Sequence, residues 1–284
     1  MGYVFEFDDA LRYNDWFTSE PGRTAVAIEQ DLLQRLWAPT GPQSVLEVGC
    51  GTGLFLEWFM RKGHQVTGLE PSPYMLNVAR RRVPARVILD RGYAEHLPYE
   101  DNAFDTVALI TALEFANDPR LALQEALRVA RRQVLLGILN KYSVATWQHC
   151  WRRLWKPSVY THAQFFSIFQ LRHMVIEALS GAVPIRWRTC FLFPLSWLRY
   201  LHSIERSRFL HRLPFGHFIG MRIDLRYPMR TAQLPLLYEI PSGVGQTHLR
   251  TLSWRGRGRE GRNQGSLHSP NQAMPNAGKE LSKS

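Results

Sequence analysis

The sequence predicts an α/β protein whose core is a doubly wound, mostly parallel sheet with helices on both faces. Short apolar runs alternate along the chain with amphipathic stretches, which is the pattern of repeated strand and helix units. The runs are apolar at every position rather than at every second one, as expected for strands that are buried on both faces. A glycine-rich turn directly after the first run completes the pattern.

The first 40 residues precede this alternation and are expected to form a helical cover. Their apolar residues repeat at helical spacing, namely Ala25, Ile28, Leu32, Leu33 and Leu36. Five strands are then predicted, at Ser44–Val48, Gln65–Leu69, Arg86–Leu89, Phe104–Ile110 and Gln133–Leu139. The helices predicted between them are Leu54–Lys62, Pro73–Arg82 and Pro119–Arg131.

The segment after the fifth strand, residues 140–180, interrupts this alternation and is predicted to be a helical, aromatic insertion. Trp147, Trp151 and Trp155 are spaced so that one face of a helix would be aromatic. Such a helix either packs on the body of the protein or caps a substrate pocket. The elements predicted after it are a helix at Thr161–Leu179, strands at Ile185–Phe193 and His217–Leu225, and a basic amphipathic helix at Leu195–Leu213. The basic helix is either an ordinary surface helix or one that lies on a membrane surface.

Residues 243–284 are rich in Gly, Ser, Asn, Gln and Arg, so we expect a disordered basic tail. The tail holds nearly half of the chain's net charge of +11, which leaves the body only mildly basic. Its run Arg255–Arg262 either contacts RNA or an acidic surface electrostatically or is solvated without a partner. The predicted organisation is therefore a cover at 1–40, one domain at 41–242 and a tail at 243–284.

Composition and the start of the chain exclude several classes of protein. A hydrophobic content of 45% excludes a disordered chain. The three cysteines are too few for a disulfide framework or a cysteine zinc site, and no metal site is expected. The first residues lack the basic start of a secretory signal, and no run reaches the roughly 18 apolar residues that a membrane-spanning helix needs. A cytoplasmic location is the expectation.

The glycine-rich turn VLEVGCGTG, residues 45–53, is the strongest chemical signal. Gly49, Gly51 and Gly53 allow the backbone to turn sharply and to approach a ligand closely. Glu47 precedes the turn, where a carboxylate pairs with a ligand ammonium group or accepts a backbone amide, and would repel a pyrophosphate. Glu70 ends the next strand, where an acid accepts the two hydroxyls of a ribose. A ligand with ribose and ammonium but no phosphate is S-adenosylmethionine.

The segment EVGCGTG also resembles the first motif of the class I S-adenosylmethionine-dependent methyltransferases, whose glycines are spaced GxGxG. GYAEHLP (residues 92–98), Phe104 with Asp105, Asp118 with Pro119, and RVAR (residues 128–131) are similar to later motifs of the small-molecule branch, the methyltransferase type 11 domain. The resemblance covers residues 10–140 and implies a Rossmann-like, seven-stranded sheet.

The resemblance also implies which residues contact the cofactor. Ala94 and Glu95 would lie beside the adenine, and Thr111 near the methionine part. Pro71, which follows Glu70, and Cys50, a small side chain inside the glycine turn, join the predicted cofactor-binding positions. Tyr13 and Trp16 lie in a segment, YNDWF, that resembles one folding over the cofactor in relatives. The alternative for these two aromatic residues is hydrophobic anchoring of the cover.

The implied reaction is an in-line attack of an acceptor nucleophile on the sulfonium methyl group, for which the enzyme aligns the reactants and excludes water. A base is needed only when the acceptor must lose a proton. Glu114, after the fourth strand, is the predicted catalytic residue, with a helix cap or a surface ion pair as its alternative role. His96 and His162 are further candidates near the mouth of the pocket.

The predicted function is therefore methyl transfer from S-adenosylmethionine to a small-molecule acceptor, with an apolar or aromatic acceptor favoured by the tryptophans after strand five. One alternative is an RNA methyltransferase that uses the basic tail. Another is a non-catalytic partner subunit that binds S-adenosylmethionine. A nicotinamide dehydrogenase is disfavoured by Glu47 and by the glycine spacing.

Overall fold

The computed structural model describes residues 3–37, 39–143, 146, 163–179, 181, 183–192 and 210–225. All of them belong to one compact unit, Met1–Arg230. The tryptophans proposed as a cap, His162, most of the predicted basic helix and the whole tail lie outside the described residues.

Two helices open the chain, and a seven-stranded sheet follows. The helices are α1 (Phe7–Thr18), α2 (Glu20–Trp37), α3 (Leu54–Arg61), α4 (Pro73–Arg82), α5 (Pro119–Val129) and α6 (Ile168–Leu179). The strands are β1 (Ser44–Val48), β2 (Gln65–Glu70), β3 (Ile88–Arg91), β4 (Phe104–Ile110), β5 (Ala130–Leu139), β6 (Ile185–Cys190) and β7 (Phe218–Asp224). Short 3₁₀ helices occupy Leu113–Phe115 and Leu210–Arg212.

The strand order is β3-β2-β1-β4-β5-β7-β6, with β7 antiparallel to both of its neighbours and the other pairs parallel. This confirms the predicted Rossmann-like, mostly parallel sheet. The chain moves outward from β1 to β3 and then returns to β4 on the other side of β1. The carboxyl ends of β1 and β4 therefore frame the crevice where open α/β sheets bind ligands.

The core consists of two layers, one on each face of the sheet. Helices α2, α3 and α4 pack on one face, and α5 and α6 pack on the other. Trp37 and Phe59 are fully buried in the first layer, and Leu123 and Leu171 in the second. Because the inner strands are covered on both faces, their continuously apolar sequences are explained.

Six predicted boundaries are wrong by more than one residue. Two of them are the end of the third strand, at Arg91 rather than Leu89, and the start of the fifth, at Ala130 rather than Gln133, where a bulge interrupts the pairing with β4. The other four have local reasons. The third strand begins at Ile88 rather than Arg86, because Val87 donates to the Pro84 carbonyl in a turn. Helix α5 ends at Val129, because residue 130 already pairs with Phe104 in the sheet. Helix α6 begins at Ile168, after Ser167 and Gln170 cap its start reciprocally. Strand β6 ends at Cys190, since Phe191 has a φ of 61°.

Candidate cofactor cleft

A cleft of about 670 Å³, counted out to its open mouth, lies over the carboxyl ends of β1, β2 and β4. It brings together eight of the predicted site residues: Tyr13, Gly49, Gly51, Glu70, Pro71, Ala94, Glu95 and Thr111. The sequence reasoning missed the rest of the lining, which is mostly apolar: Tyr3, Val4, Phe5, Leu69, Met75, Tyr93, Ala112, Phe115 and Ala116.

The glycine turn has a left-handed backbone at two positions that face the cleft. Gly49 has a φ of 72°, and a Cβ there would lie 2.5 Å from the Cβ of Ala112. Gly51 has a φ of 52°, but a Cβ there would meet nothing within 4 Å. A glycine is thus required at position 49 because a side chain there would clash with Ala112. Gly51, in contrast, leaves open space on the cleft side where a ligand can approach the backbone.

Glu70 connects this turn to the loop after β2. Its Oε2 accepts a hydrogen bond from the Gly51 amide at 2.9 Å, and its Oε1 accepts one from the Ser72 amide at 3.0 Å. Burial raises the pKa of this carboxyl to about 7, although both amides act to lower it. The carboxyl group is therefore held in a fixed orientation at the edge of the cleft.

Three other residues of the glycine motif lie behind the turn rather than in the cleft. Glu47 is buried and does not line the cleft, and burial together with the nearby Glu70 raises its pKa well above the usual range, so its position does not support the predicted contact with a ligand ammonium group. Cys50 is buried in the core beside Gly68. Gly53 begins α3 and packs against Ala79. These residues shape the turn from behind.

The opposite wall of the cleft is formed by the loops after β3 and β4. Glu95 Oε1 accepts hydrogen bonds from the Asn117 and Asp118 amides at 2.7 and 3.2 Å, which ties the two loops together. Asp118 in turn caps α5. Thr111 has a φ of 49°, and its amide donates to the Gly137 carbonyl at 2.7 Å. Ala94 lies next to Glu95 in the lining.

The N-terminal segment Tyr3–Phe5 covers the cleft. The Tyr3 amide donates to the Phe115 carbonyl at 3.2 Å, and the Ser72 hydroxyl donates to the Phe5 carbonyl at 2.6 Å. The Phe5 ring meets Phe115 edge to face and also contacts Tyr13. The segment belongs to the cover predicted at residues 1–40, but these particular residues were not predicted to line the cleft.

Trp16, predicted with Tyr13 to bind the cofactor, does not line the cleft. It packs closely on Gly22 at the start of α2 and stacks on Phe17. Its position matches the alternative role of anchoring the cover.

Glu114, the predicted catalytic residue, is fully buried behind the cleft wall in the 3₁₀ helix Leu113–Phe115. Its Oε1 accepts a hydrogen bond from the Leu139 amide at 2.6 Å, and its Oε2 has no hydrogen-bond partner. Burial raises the pKa of this carboxyl to about 8. The predicted cap or surface ion pair is therefore wrong, because the carboxyl is bonded inside the protein. His96 is exposed and lies outside the cleft lining.

Within the described ranges, no group of three or more His, Cys, Asp or Glu side chains could hold a metal ion. A search of the same parts of the chain finds no helix that is both long and apolar enough to cross a membrane.

Comparison with known proteins places this cleft in a family. Residues 46–138 match the family model described as a methyltransferase domain. The malonyl-[acyl-carrier protein] O-methyltransferase of Erwinia pyrifoliae is 35% identical over 217 residues, which cover 72% of this chain and 79% of that protein. The corresponding protein of Serratia marcescens is 29% identical over 231 residues, 78% of this chain and 88% of that one.

A solved structure from Thermotoga maritima agrees with these matches. It is an S-adenosylmethionine-dependent methyltransferase described as a possible histamine N-methyltransferase, and it is 26% identical with a TM-score of 0.61. The match covers 76% of this chain and 96% of that one. The chain therefore belongs to the methyltransferase domain family of class I enzymes and is an S-adenosylmethionine-dependent methyltransferase.

Proposed function

We propose that this enzyme transfers the methyl group of S-adenosylmethionine to a small-molecule acceptor. The observation that supports this proposal is the closure of the cleft: the segment Tyr3–Phe5 is hydrogen-bonded across it, to the Phe115 and Ser72 sides. The aromatic rings of the cover favour an apolar or aromatic acceptor, because such rings contribute large apolar contact areas.

The residues of the cleft fit S-adenosylmethionine. The open space beside Gly51 lets the ligand approach the turn, and the fixed carboxyl of Glu70 is placed to accept ribose hydroxyls. Ala94 and Glu95 would lie along the adenine, Pro71 beside the ribose, and Thr111 near the methionine part. When bound, the cofactor supplies a methyl group on a positively charged sulfur.

The protein's contribution is alignment, exclusion of water and, where the acceptor requires it, acceptance of a proton. Tyr3, Phe5 and Tyr13 shield one side of the cleft from solvent. Glu114 lies directly behind the wall formed by Ala112 and Phe115. Burial raises its pKa to about 8, close enough to neutral pH for the carboxyl group to release and take up a proton there.

The organisation proposed for the chain follows the sequence expectation. Residues 1–40 form the cover, 41–242 the methyltransferase domain with a cap-like segment at 140–180, and 243–284 a basic tail. In this organisation the tail takes no part in the reaction.

The test is release of S-adenosylhomocysteine by the full chain with S-adenosylmethionine and either a panel of small amines, alcohols, carboxylates and thiols or total RNA. We expect a small molecule to stimulate release. A matched chain that ends at residue 242 should respond to the same compound. Stimulation by RNA alone, lost on removal of residues 243–284, would replace the proposal with the RNA alternative. Binding of S-adenosylmethionine without any release would favour the partner-subunit alternative.

A further inference from the structure

A carboxyl residue interrupts the apolar stripe by which α2 packs on the sheet. The buried residues of this helix are Gly22, Ala25, Val26, Leu32, Leu33, Leu36 and Trp37. Glu29 lies four residues after Ala25 and four before Leu33, so it projects from the same face. It is only partly exposed, in contrast to the exposed acids of this helix, Glu20 and Asp31.

The course of α2 along β7 shows where Glu29 lies. Arg222 on β7 donates to the carbonyls of Leu36 and Trp37, at the end of α2. Earlier on the helix, the side chains of Leu32, Leu33 and Leu36 surround Gly220. Glu29 lies about one turn closer to the start of α2, which is about 5.4 Å along the helix axis. A strand rises about 3.3 Å per residue, so this distance corresponds to about two residues of β7 and places Glu29 level with Phe218.

Phe218 is the residue paired with Leu139 at the end of β5, and Leu139 is the residue whose amide donates to Glu114. Glu29 on α2 and Glu114 after β4 therefore approach the end of β5 from two directions. Their electrostatic coupling agrees with this placement: burial raises the pKa of Glu29 to about 8, and the Glu114 charge contributes to the same shift.

This carboxyl pair, Glu29 and Glu114, has unused hydrogen-bonding capacity. Glu114 is 0% exposed and its Oε2 has no partner. Glu29 forms no side-chain hydrogen bond or ion pair with the part of the chain that the structure describes. A fully buried carboxyl oxygen without a donor, such as Glu114 Oε2, is costly, and carboxyl groups whose pKa values are raised by burial are candidates for functional sites.

Glu114 is also next to the end of the cleft where the methionine part of the cofactor is predicted to lie. Glu114 belongs to the same 3₁₀ helix as Phe115, which lines the cleft, and this helix directly follows Thr111 and Ala112 at the predicted methionine end. On the basis of this juxtaposition, and of the proposed function, we infer that Glu29 and Glu114 form the acceptor subsite and that the acceptor is a primary or secondary amine that arrives protonated.

The chemistry of an amine matches the two carboxyl groups. An ammonium group brings both the positive charge and the N–H donors that the pair lacks, whereas an acceptor carboxylate would add a third acid. Binding of the ammonium lowers the pKa of the pair, so that one of its carboxyl groups releases its proton to solvent, and in the reaction the ammonium gives one proton to that carboxylate. The nitrogen lone pair then forms a bond to the methyl carbon while the bond from that carbon to sulfur breaks, and sulfur keeps the electron pair as a neutral thioether.

The test uses three probes of similar shape: 2-phenylethylamine, 2-phenylethanol and 3-phenylpropanoate. Binding of each to the full chain with S-adenosylhomocysteine is measured by calorimetry, and turnover with S-adenosylmethionine is measured by product release. The variants are Glu29→Gln and Glu114→Gln, with Glu20→Gln, an exposed acid on the same helix as Glu29, as the matched control. Since a neutral amide resembles a protonated carboxyl, both variants should fold.

We expect the amine to bind and to be methylated, and the carboxylate to do neither. Each pair variant should weaken amine binding about 10-fold or more, as expected for loss of a charge-assisted hydrogen bond, while Glu20→Gln leaves it unchanged. S-adenosylmethionine affinity should be the same in all four proteins.

No amine binding, or equal binding by the parent and both variants, would overturn the inference. Methylation of the alcohol or the carboxylate alone would overturn it and leave the proposed function intact. Absence of release with every small molecule would contradict both.

Discussion

Two acidic sites of this enzyme differ in how their carboxyl oxygens are satisfied. At the cofactor cleft, both oxygens of Glu70 accept backbone amides, from Gly51 and Ser72. Behind the cleft wall, Glu114 uses one oxygen and leaves the other unpartnered, and Glu29 lies nearby without a donor. A carboxyl that the protein satisfies is a positioned acceptor for neutral hydroxyl groups, whereas an unsatisfied pair is suited to a ligand that brings its own charge and donors.

The largest expected effect concerns the unsatisfied site and is a change in stability with pH. The folded-state pKa of Glu114, about 8, is above its unfolded value, so the protonated form stabilises the fold. This contribution is complete below about pH 4.5 and is lost as the pH rises towards 8. Glu114→Gln cannot titrate, so its stability relative to the parent should increase over this window, by on the order of 4 kcal/mol at most.

Urea unfolding at pH 5, 7 and 9 measures this difference. Glu57→Gln, a surface variant that breaks only the ion pair with Arg61, is the control and should show no comparable trend. If the difference in unfolding free energy between the parent and Glu114→Gln stays constant from pH 5 to pH 9, Glu114 is not held protonated in the fold.

The second effect concerns the satisfied site. In Glu70→Gln, one of the two amide donors, from Gly51 or Ser72, must face the new NH₂ group, because both donors point at the carboxyl. The Glu70 orientation and the turn at Gly51 should then both change. Since hydrogen bonds to charged groups contribute about 1.5–3 kcal/mol, we expect S-adenosylmethionine affinity to fall about 10- to 100-fold.

Calorimetric titration with S-adenosylmethionine measures this loss, and Glu114→Gln is the internal comparison. If the two sites have the separate roles proposed, only Glu70→Gln weakens cofactor binding. Equal losses of S-adenosylmethionine affinity in both variants would mean that the two acidic sites do not have separate roles.

The cofactor side of the molecule could be predicted from sequence because its signals are local. Ser72 caps α4 and Pro73 occupies its first turn, so the predicted bounds of this helix agree with the structure. Strands β1 and β4 are likewise correct, because continuous apolar runs between turn residues define both ends. The spacing from Gly49 to Glu70 then places the acid at the cleft, where the structure has it.

The carboxyl pair could not be predicted because it depends on distant contacts. Nothing near Glu29 in the sequence shows that α2 lies along β7, and without that placement the residue resembles any acid on an amphipathic helix. The position of Glu114 after β4 predicts a site residue, but its hydrogen-bond donor, the Leu139 amide, comes 25 residues later. The N-terminal cover was predicted at residues 1–40, but the contacts of Tyr3 with Phe115 and of Phe5 with Ser72 are likewise distant in sequence and were not.

The smallest expected effect tests how the cover is coupled to the satisfied site. Ser72 accepts the Met75 amide as the cap of α4 and donates to the Phe5 carbonyl, while its own amide donates to Glu70. Ser72→Ala removes the cap and the contact with the cover, so we expect a loss of about 1 kcal/mol in stability and a several-fold loss of S-adenosylmethionine affinity. Ser167→Ala is the matched control, because Ser167 caps α6 and does not line the cleft. Both variants should lose similar stability, but only Ser72→Ala should bind the cofactor more weakly. Unchanged affinity in Ser72→Ala would show that the segment Tyr3–Phe5 rests on the cleft without contributing to the binding of its ligand.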